Sequence, residues 1–427
     1  MKKIILTFLI IGQILMAAKI DNIEINGVKV PLIFEEDKRL PIVTTQIIFT
    51  NSGSITDGEK LGLAKLSAKL LNDGTKKLGS EAFSEELESK AIHISASSGT
   101  ETFVMEVSSL KEEYRSSLKK LKKLLGDPNY SDDSMSKIKT MTLGALSRKE
   151  NDFDYIASNE LKHLLFGESA LGHSASGTKE SIKDIKLEDI KAFVNEHLVL
   201  SRLIIVVGGD ISVEEVKKSL AKTLKGLKIG TSDLVKYYEV TKKAQKSVIK
   251  KETEQAYVYF GSPYYMNVDS VDYYKARVAT FILGTGGFGS RLMEEIRVKR
   301  GLAYSAYARV HVSKSSSYMT GYLQTKLDSM NEAKNTVSEV INDFVKNGVT
   351  EEELEQTKKF LLGSEPLRVE TMSQRLNRTF MEYYKGFELG HSVQELEKIK
   401  KLELKDLNEF IKNHKEILNI SFAIVTK

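Results

Sequence analysis

Short runs rich in β-branched and other apolar residues, VKVPLIFEE (Val28 to Glu36) and IVTTQIIFT (Ile42 to Thr50), give the pattern of strands with a face in a core. TETFVMEVSS (Thr100 to Ser109) repeats it, and RLIIVVGG (Arg202 to Gly209) is continuously apolar, as a buried strand is. Between these runs the period changes to that of a helix. GLAKLSAKLLNDGT (Gly62 to Thr75) is an apolar helix with a glycine stop, and Thr56-Asp57-Gly58-Glu59 ahead of it has capping-box form. LKEEYRSSLKKLKKLL sets Leu110, Tyr114, Leu118, Leu121 and Leu125 on one helical face, and Asp127-Pro128 ends that helix.

The same order of elements recurs. KLEDIKAFVNEH (Lys186 to His197) before RLIIVVGG corresponds to ELKDLNEFIKNH (Glu403 to His414) before ISFAIV. Leu187/Leu404, Asp189/Asp406, Phe193/Phe410 and His197/His414 match at one offset, and Ile190/Leu407 and Val194/Ile411 keep apolar character. The second half opens with AYVYFGSPY and the helix VDYYKARVATFILG, then a Gly-rich turn and the helix SRLMEEIRVKR. Strands SAYARVHVS and YMTGYLQTK follow, then long helices from Asn331 to Leu362. The expectation is an α+β protein of two homologous domains, 19–225 and 251–427, each a mixed or antiparallel sheet with helices packed on it. Residues 226–250 form a linker of weak periodicity.

A length of 427 residues suits two domains, and 41% hydrophobic with 28% charged residues is ordinary for a globular chain. MKKIILTFLIIGQILMAAKI joins a basic start to a short apolar run and small residues, so residues 1–18 are expected to be a cleaved secretory signal, with a retained anchor as the alternative. That places the chain outside the cytoplasm, in the periplasm of a Gram-negative bacterium, with no membrane span after signal removal. The formal charge of +5 becomes +3 without Lys2 and Lys3, too little to argue for nucleic acid. The lysine-rich stretch Lys236 to Glu252 reads as a solvated linker and strand edge. With no cysteine there is neither disulfide nor thiol chemistry.

Metal and cofactor motifs are sparse. No two of the seven histidines stand three to five residues apart, so no helix presents a His pair to zinc. Glu160 and His163 share a helix face without a partner motif and read as a surface pair. His197 and His414 end their helices and read as C-terminal caps. GTGGFG (Gly284 to Gly289) follows a helix rather than a strand, and no acid occurs from Ile296 to Lys326, so a Gly-rich turn is expected rather than a dinucleotide site. A Gly-x-Ser-x-Gly elbow is absent.

The duplicated halves, GLAKLSAKLLNDGT, NELKHLLFGESALGHSASGTKESI and above all GGFGSRLMEEIRVKRGLAYSAYA (Gly286 to Ala308) resemble the insulinase/pitrilysin superfamily of zinc peptidases, in particular its half-size members related to the mitochondrial processing peptidase. The resemblance spans the mature chain. It implies an inverted zinc motif, H-x-x-E-H, on the first-half helix, in which two His bind zinc and the Glu is the general base. Those positions fall on Lys65, Ala68 and Lys69, and the third ligand, a Glu, on Thr142-Leu143-Gly144-Ala145-Leu146, with Glu150 a turn too late. The chain is therefore expected to hold no catalytic zinc. Lys65 and Lys69 are expected to ion-pair with nearby acids.

The family's second-half signature is retained. The resemblance assigns Arg297 and Tyr304 to the substrate backbone and the developing oxyanion, as catalytic groups supplied in trans, and Gly286, Gly287 and Phe288 to substrate binding. It implies a zinc-less subunit that completes a homologous, zinc-bearing peptidase subunit acting on peptides or unfolded segments, with substrate added to a sheet edge. The alternatives are a non-catalytic scaffold or peptide-binding protein, and a self-sufficient metallopeptidase with a site relocated near Glu160 and His163.

Overall fold

The computed structural model describes residues 18–427, so all but the last residue of the expected leader lies outside the described residues. The first sheet comprises β1 (Lys19–Ile25), β2 (Val28–Glu36), β3 (Ile42–Thr50), β4 (His93–Ser98), β5 (Thr102–Leu110) and β6 (Leu203–Gly209), in the order β1-β2-β6-β3-β5-β4. The second comprises β7 (Lys246–Lys250), β8 (Gln255–Pro263), β9 (Ala303–Val312), β10 (Ser317–Lys326) and β11 (Ser421–Thr426), in the order β7-β11-β8-β10-β9. Setting β1 aside, the two orders coincide. β2 and β6 pair in parallel, as do β7 and β11, and the remaining neighbours are antiparallel. The repeat in the sequence is thus a repeat of topology. β6 and β11, written almost wholly in apolar residues, are buried along their length inside their sheets.

The halves exchange helices, which the sequence pattern does not indicate. Helix Phe153–Phe166 precedes β6 in the chain yet packs on β8 and β11, where Leu161, Leu165 and Phe166 meet Ala423, Tyr259 and Tyr318. Its Asp154 accepts hydrogen bonds from the Tyr259 hydroxyl at 3.0 Å and the Gln324 amide at 2.8 Å. In return, helix Met372–Lys385 lays Leu376 and Tyr384 on Ile33, Ile48, Ile204 and Val206 of the first sheet. The Tyr384 hydroxyl donates to the buried Glu101 at 2.6 Å, and Arg375 donates to Glu35 at 2.6 Å. Buried polar groups tied this way cost several kcal/mol if orphaned, so the exchange locks the halves together.

Three local expectations change. Leu110 ends β5, and a 3-10 turn at Lys111–Glu113 resets the phase of the next helix, Tyr114–Gly126. Its buried face is Tyr114, Ser117, Leu118, Leu121 and Leu124, and Leu125 is only half-buried. The capping-box reading also fails, because Gly62, not Thr56, is the N-cap of helix Leu63–Leu71. Buried Asp57 reaches forward instead, and its carboxylate accepts the Gly62 and Ala64 amides, each at 2.8 Å. Finally, the repeated histidines do end their helices, His414 as the C-cap residue of Leu404–Asn413 and His197 as the last residue of Leu187–His197, but their rings turn to neighbouring side chains. His197 Nδ1 lies 2.8 Å from an Arg202 nitrogen, and His414 Nδ1 2.7 Å from Glu416 Oε1.

Candidate functional site

Helix Leu63–Leu71 buries Leu63, Ala64, Leu66, Ala68, Leu70 and Leu71 and leaves Lys65 and Lys69 half-buried, four residues apart on one face. Gly62 and Gly177, both at positive φ, admit the loop before Lys179 against the helix start. A Cβ on Gly177 would stand 2.3 Å from the Leu61 carbonyl oxygen. That close approach brings Ser176 to the lysines. The other wall is helix Asp132–Lys149, whose Thr142, Ala145, Leu146 and Lys149 recur at helical spacing. Between them lies a cavity of about 70 Å³.

Neither lysine pairs with an acid, contrary to expectation. The Lys65 ammonium donates to the Ser176 hydroxyl at 2.9 Å and the Lys69 ammonium to the Thr142 hydroxyl at 2.8 Å. Glu150, next to Lys149 in the chain, pairs with Lys179 at 2.5 Å, and Asp154 is held by Tyr259 and Gln324. Lys149 rests its ammonium 4.3 Å from the Tyr155 ring centre. Burial lowers the pKa of Lys65, and the Lys149 charge lowers it further; burial acts likewise on Lys69, joined by the charges of Lys65 and Lys149. Lys162, on the exchanged helix, is lowered by burial and then by Lys149 and Lys65. It also faces β9, where His311 is held down at about 4 by burial, then by Arg309 and Lys162.

These residues do not fit zinc. Two ammonium groups, the Ala68 methyl and the carboxylate-free stretch Thr142 to Leu146 stand where the resemblance calls for two imidazoles and two carboxylates, and protonated lysine has no lone pair to offer. Among the described residues, no group of three or more His, Cys, Asp or Glu is placed to hold a metal ion. The relocated site fares no better: His163 is exposed and its acidic neighbour is Glu168, at 3.9 Å. From the Glu160-to-His163 stretch only Lys162 bears on the cavity, from outside its lining and through its charge interaction with Lys149 and Lys65. Lys149 belongs to no motif in the sequence, although the i, i+3, i+7 spacing of Thr142, Ala145 and Lys149 points to it; Ser176 lies within the NELKHLLFGESALGHSASGTKESI stretch, where nothing in the pattern singles it out.

The second-half residues gather apart from that cavity. After helix Tyr273–Thr280 the backbone widens into a π turn at Phe281–Thr285 and passes through the short turn Gly287–Gly289. It then re-enters helix at Arg291–Met293 and widens again at Glu294–Val298. Gly286 is tightly held, since a Cβ there would meet the Phe281 carbonyl oxygen at 2.8 Å; Gly287 takes φ +61°. The Arg297 guanidinium lies over two aromatic rings, 4.5 Å from the Phe288 ring centre and 4.3 Å from that of Tyr304. It also donates to the Tyr304 carbonyl at 2.9 Å. Tyr304 is 82% exposed and Phe288 65%, so the cluster faces outward with its phenol unengaged by buried groups. Contact with the two rings holds the guanidinium while leaving donors free, an arrangement suited to a peptide carbonyl or carboxylate.

The same two regions fall within stretches matched by known families. A family model described as insulinase (peptidase family M16) matches residues 34–179, and one described as peptidase M16 inactive domain matches residues 184–361. The chain is 43% identical over its whole length to a Helicobacter pylori protein named non-peptidase homolog YmxG, covering 99% of it. It is 26% identical, over 58% of its length and 60% of the relative's, to a Bacillus subtilis protein named uncharacterized zinc protease YmxG. Among solved structures, a peptidase M16 inactive domain from Pseudomonas fluorescens superposes with a TM-score of 0.86 at 23% identity, over 96% of this chain and 98% of that one. A Helicobacter pylori protease superposes with a TM-score of 0.81 at 16% identity, over 96% of this chain and 100% of that one.

Proposed function

The chain belongs to the insulinase (M16) peptidase family as a non-peptidase homologue, and from that premise we propose that it is the zinc-less subunit of an exported heterodimeric metallopeptidase. Its own part is to bind peptide or unfolded protein and to present Arg297 and Tyr304 to a site whose zinc and general base belong to a homologous partner. The observation that carries this reading is the contrast within one chain. The metal helix holds lysines, whereas the Arg297 segment keeps an ordered, outward-facing guanidinium and phenol.

In this reading Arg297 and Tyr304 donate hydrogen bonds to the substrate backbone and to the oxyanion that develops when water adds to the scissile carbonyl. Phe288 and the Gly286-Gly287 turn shape the surface against which the extended peptide lies. The name of the Helicobacter pylori relative, a non-peptidase homolog, supports the absence of self-contained activity. The location is the periplasm, argued from the N-terminal sequence; among the described residues no helix is long and apolar enough to cross a membrane.

The test is reconstitution. The purified chain is mixed with a zinc-bearing M16 homologue of the same organism, and peptide hydrolysis is followed with each protein alone and with both. Activity that requires both, and that falls in Arg297→Ala and Tyr304→Phe, supports the proposal. A mixture as active with either variant as with the unaltered chain removes the trans-acting assignment and favours the scaffold reading.

A further inference from the structure

The cavity between helices Leu63–Leu71 and Asp132–Lys149 offers only donors. The Lys65 and Lys69 ammoniums each use one of three N–H groups on a hydroxyl, and the accepting Ser176 and Thr142 hydroxyls retain a proton to give. Lys149 stands at the rim against an aromatic ring, and Lys162 approaches from the exchanged helix. Among the described residues none of these four lysines has a carboxylate within 4.0 Å. The remaining walls are apolar: Leu66, Ala145, Leu146 and Ile182.

Clustered, half-buried cations without counter-charges repel one another, and the low-dielectric walls concentrate their field. A helix that needed only to fill the old metal position would do so more stably with leucine or methionine, because partial burial of unpaired charge is costly. From this juxtaposition we propose that the cavity is an anion site that takes one carboxylate group of a peptide, an acidic side chain or a chain terminus, where the peptidases of this family hold a cation. Its volume of about 70 Å³ suits a single small oxyanion. Lys65 and Lys69 supply charge-assisted hydrogen bonds to its oxygens, Ser176 and Thr142 supply neutral ones, and Lys149 and Lys162 add attraction from the flanks. The lowered lysine pKa values fit the same geometry, since a bound anion restores the charged form.

The anion site stands independently of the heterodimer; only the peptide origin of the carboxylate rests on that reading. The test uses the full chain without a partner. Calorimetric titration is run with inorganic phosphate, with a short peptide rich in glutamate, and with its glutamine counterpart. One-to-one binding of the glutamate peptide, at least tenfold tighter than phosphate or the glutamine peptide and weakened about tenfold or more by Lys65→Met/Lys69→Met, is expected. Phosphate binding without preference for the glutamate peptide keeps the anion site and overturns its peptide source. No binding of either anion, or binding unchanged in the double variant, overturns the site. A second measurement, free of any dependence on the variant's folding, is protection of Lys65 and Lys69 from acylation in the unaltered chain, read by peptide mass mapping. Protection is expected with the glutamate peptide, and equal labelling with and without it contradicts the proposal.

Discussion

The β3-to-β4 and β8-to-β9 connections occupy equivalent places in two sheets of the same strand order, and they have been put to opposite uses. The first carries a regular helix, Leu63–Leu71, whose inward residues are core and whose cavity face holds lysines. The second is irregular, with two π turns and a glycine bend, and it exposes Phe288 and sets half-buried Arg297 against exposed Tyr304 at the start of β9. Regular helix suits a fixed cage of charges. Interrupted helix suits the re-aiming of a few side chains outward, the setting in which π turns recur. A duplicated frame thus keeps its topology while its two site-bearing connections diverge in geometry and in chemistry.

The comparison breaks most readily at Arg297. In the reconstituted mixture, Arg297→Ala is expected to cut hydrolysis by about 10²–10³-fold, the loss typical of removing one oxyanion donor, and Tyr304→Phe by less. Steady-state rates at equal, saturating subunit ratios check this. Next in size is the approach that places Ser176 beside Lys65. Gly177→Ala forces a Cβ to within 2.3 Å of a backbone oxygen at φ +71° and is expected to destabilise the chain by about 2–4 kcal/mol in denaturant titration. Gly287→Ala, which meets open space, tests the other connection and is expected to cost only about 1 kcal/mol of backbone strain.

Asp57, beneath the lysine helix, supplies a pH signature of the first connection alone. Burial pushes its carboxyl up to about 7, against the pull of the Ala64 and Gly62 amides. Between the ordinary carboxylate range near 4 and about 7, the folded chain therefore holds a proton that the unfolded chain has released. Stability falls as pH rises through that window, with a slope of at most about 1.4 kcal/mol per pH unit from this group, and levels off above it. Denaturant midpoints measured from pH 4.5 to 8 should show that decline, and Asp57→Asn should flatten it. The exchange of helices supplies a further test. Tyr384→Phe strips the buried Glu101 of one hydrogen bond and should cost about 1–3 kcal/mol while leaving the Ser315 amide bond to Glu101 in place.

Much of this architecture is legible in the sequence. VKVPLIFEE and IVTTQIIFT match the limits of β2 and β3, because each is a short run rich in β-branched and apolar residues bounded by polar or turn-forming ones. β4, written HISASS, has too few apolar residues to announce itself, and β1 and β7 lie at sheet edges where alternation is weak. The lysines at the metal positions are readable from spacing and resemblance. Their partners are not, since a lysine stem is long enough to reach a hydroxyl or an acid, and only the fold sets Ser176 and Thr142 beside them. The exchange of helices and the contribution of Lys162 are tertiary facts. Amphipathic helices state which face is apolar and not which sheet will cover it.

The central claim is that this chain contributes binding and oxyanion groups, not metal, to hydrolysis. Its most direct test is the rate of peptide cleavage by the chain alone, by a zinc-bearing M16 homologue of the same organism alone, and by the two together, with metal content measured on each before mixing. The account expects no stoichiometric zinc and no cleavage from this chain, and cleavage that appears only in the mixture. Stoichiometric zinc with cleavage by the isolated chain would contradict it.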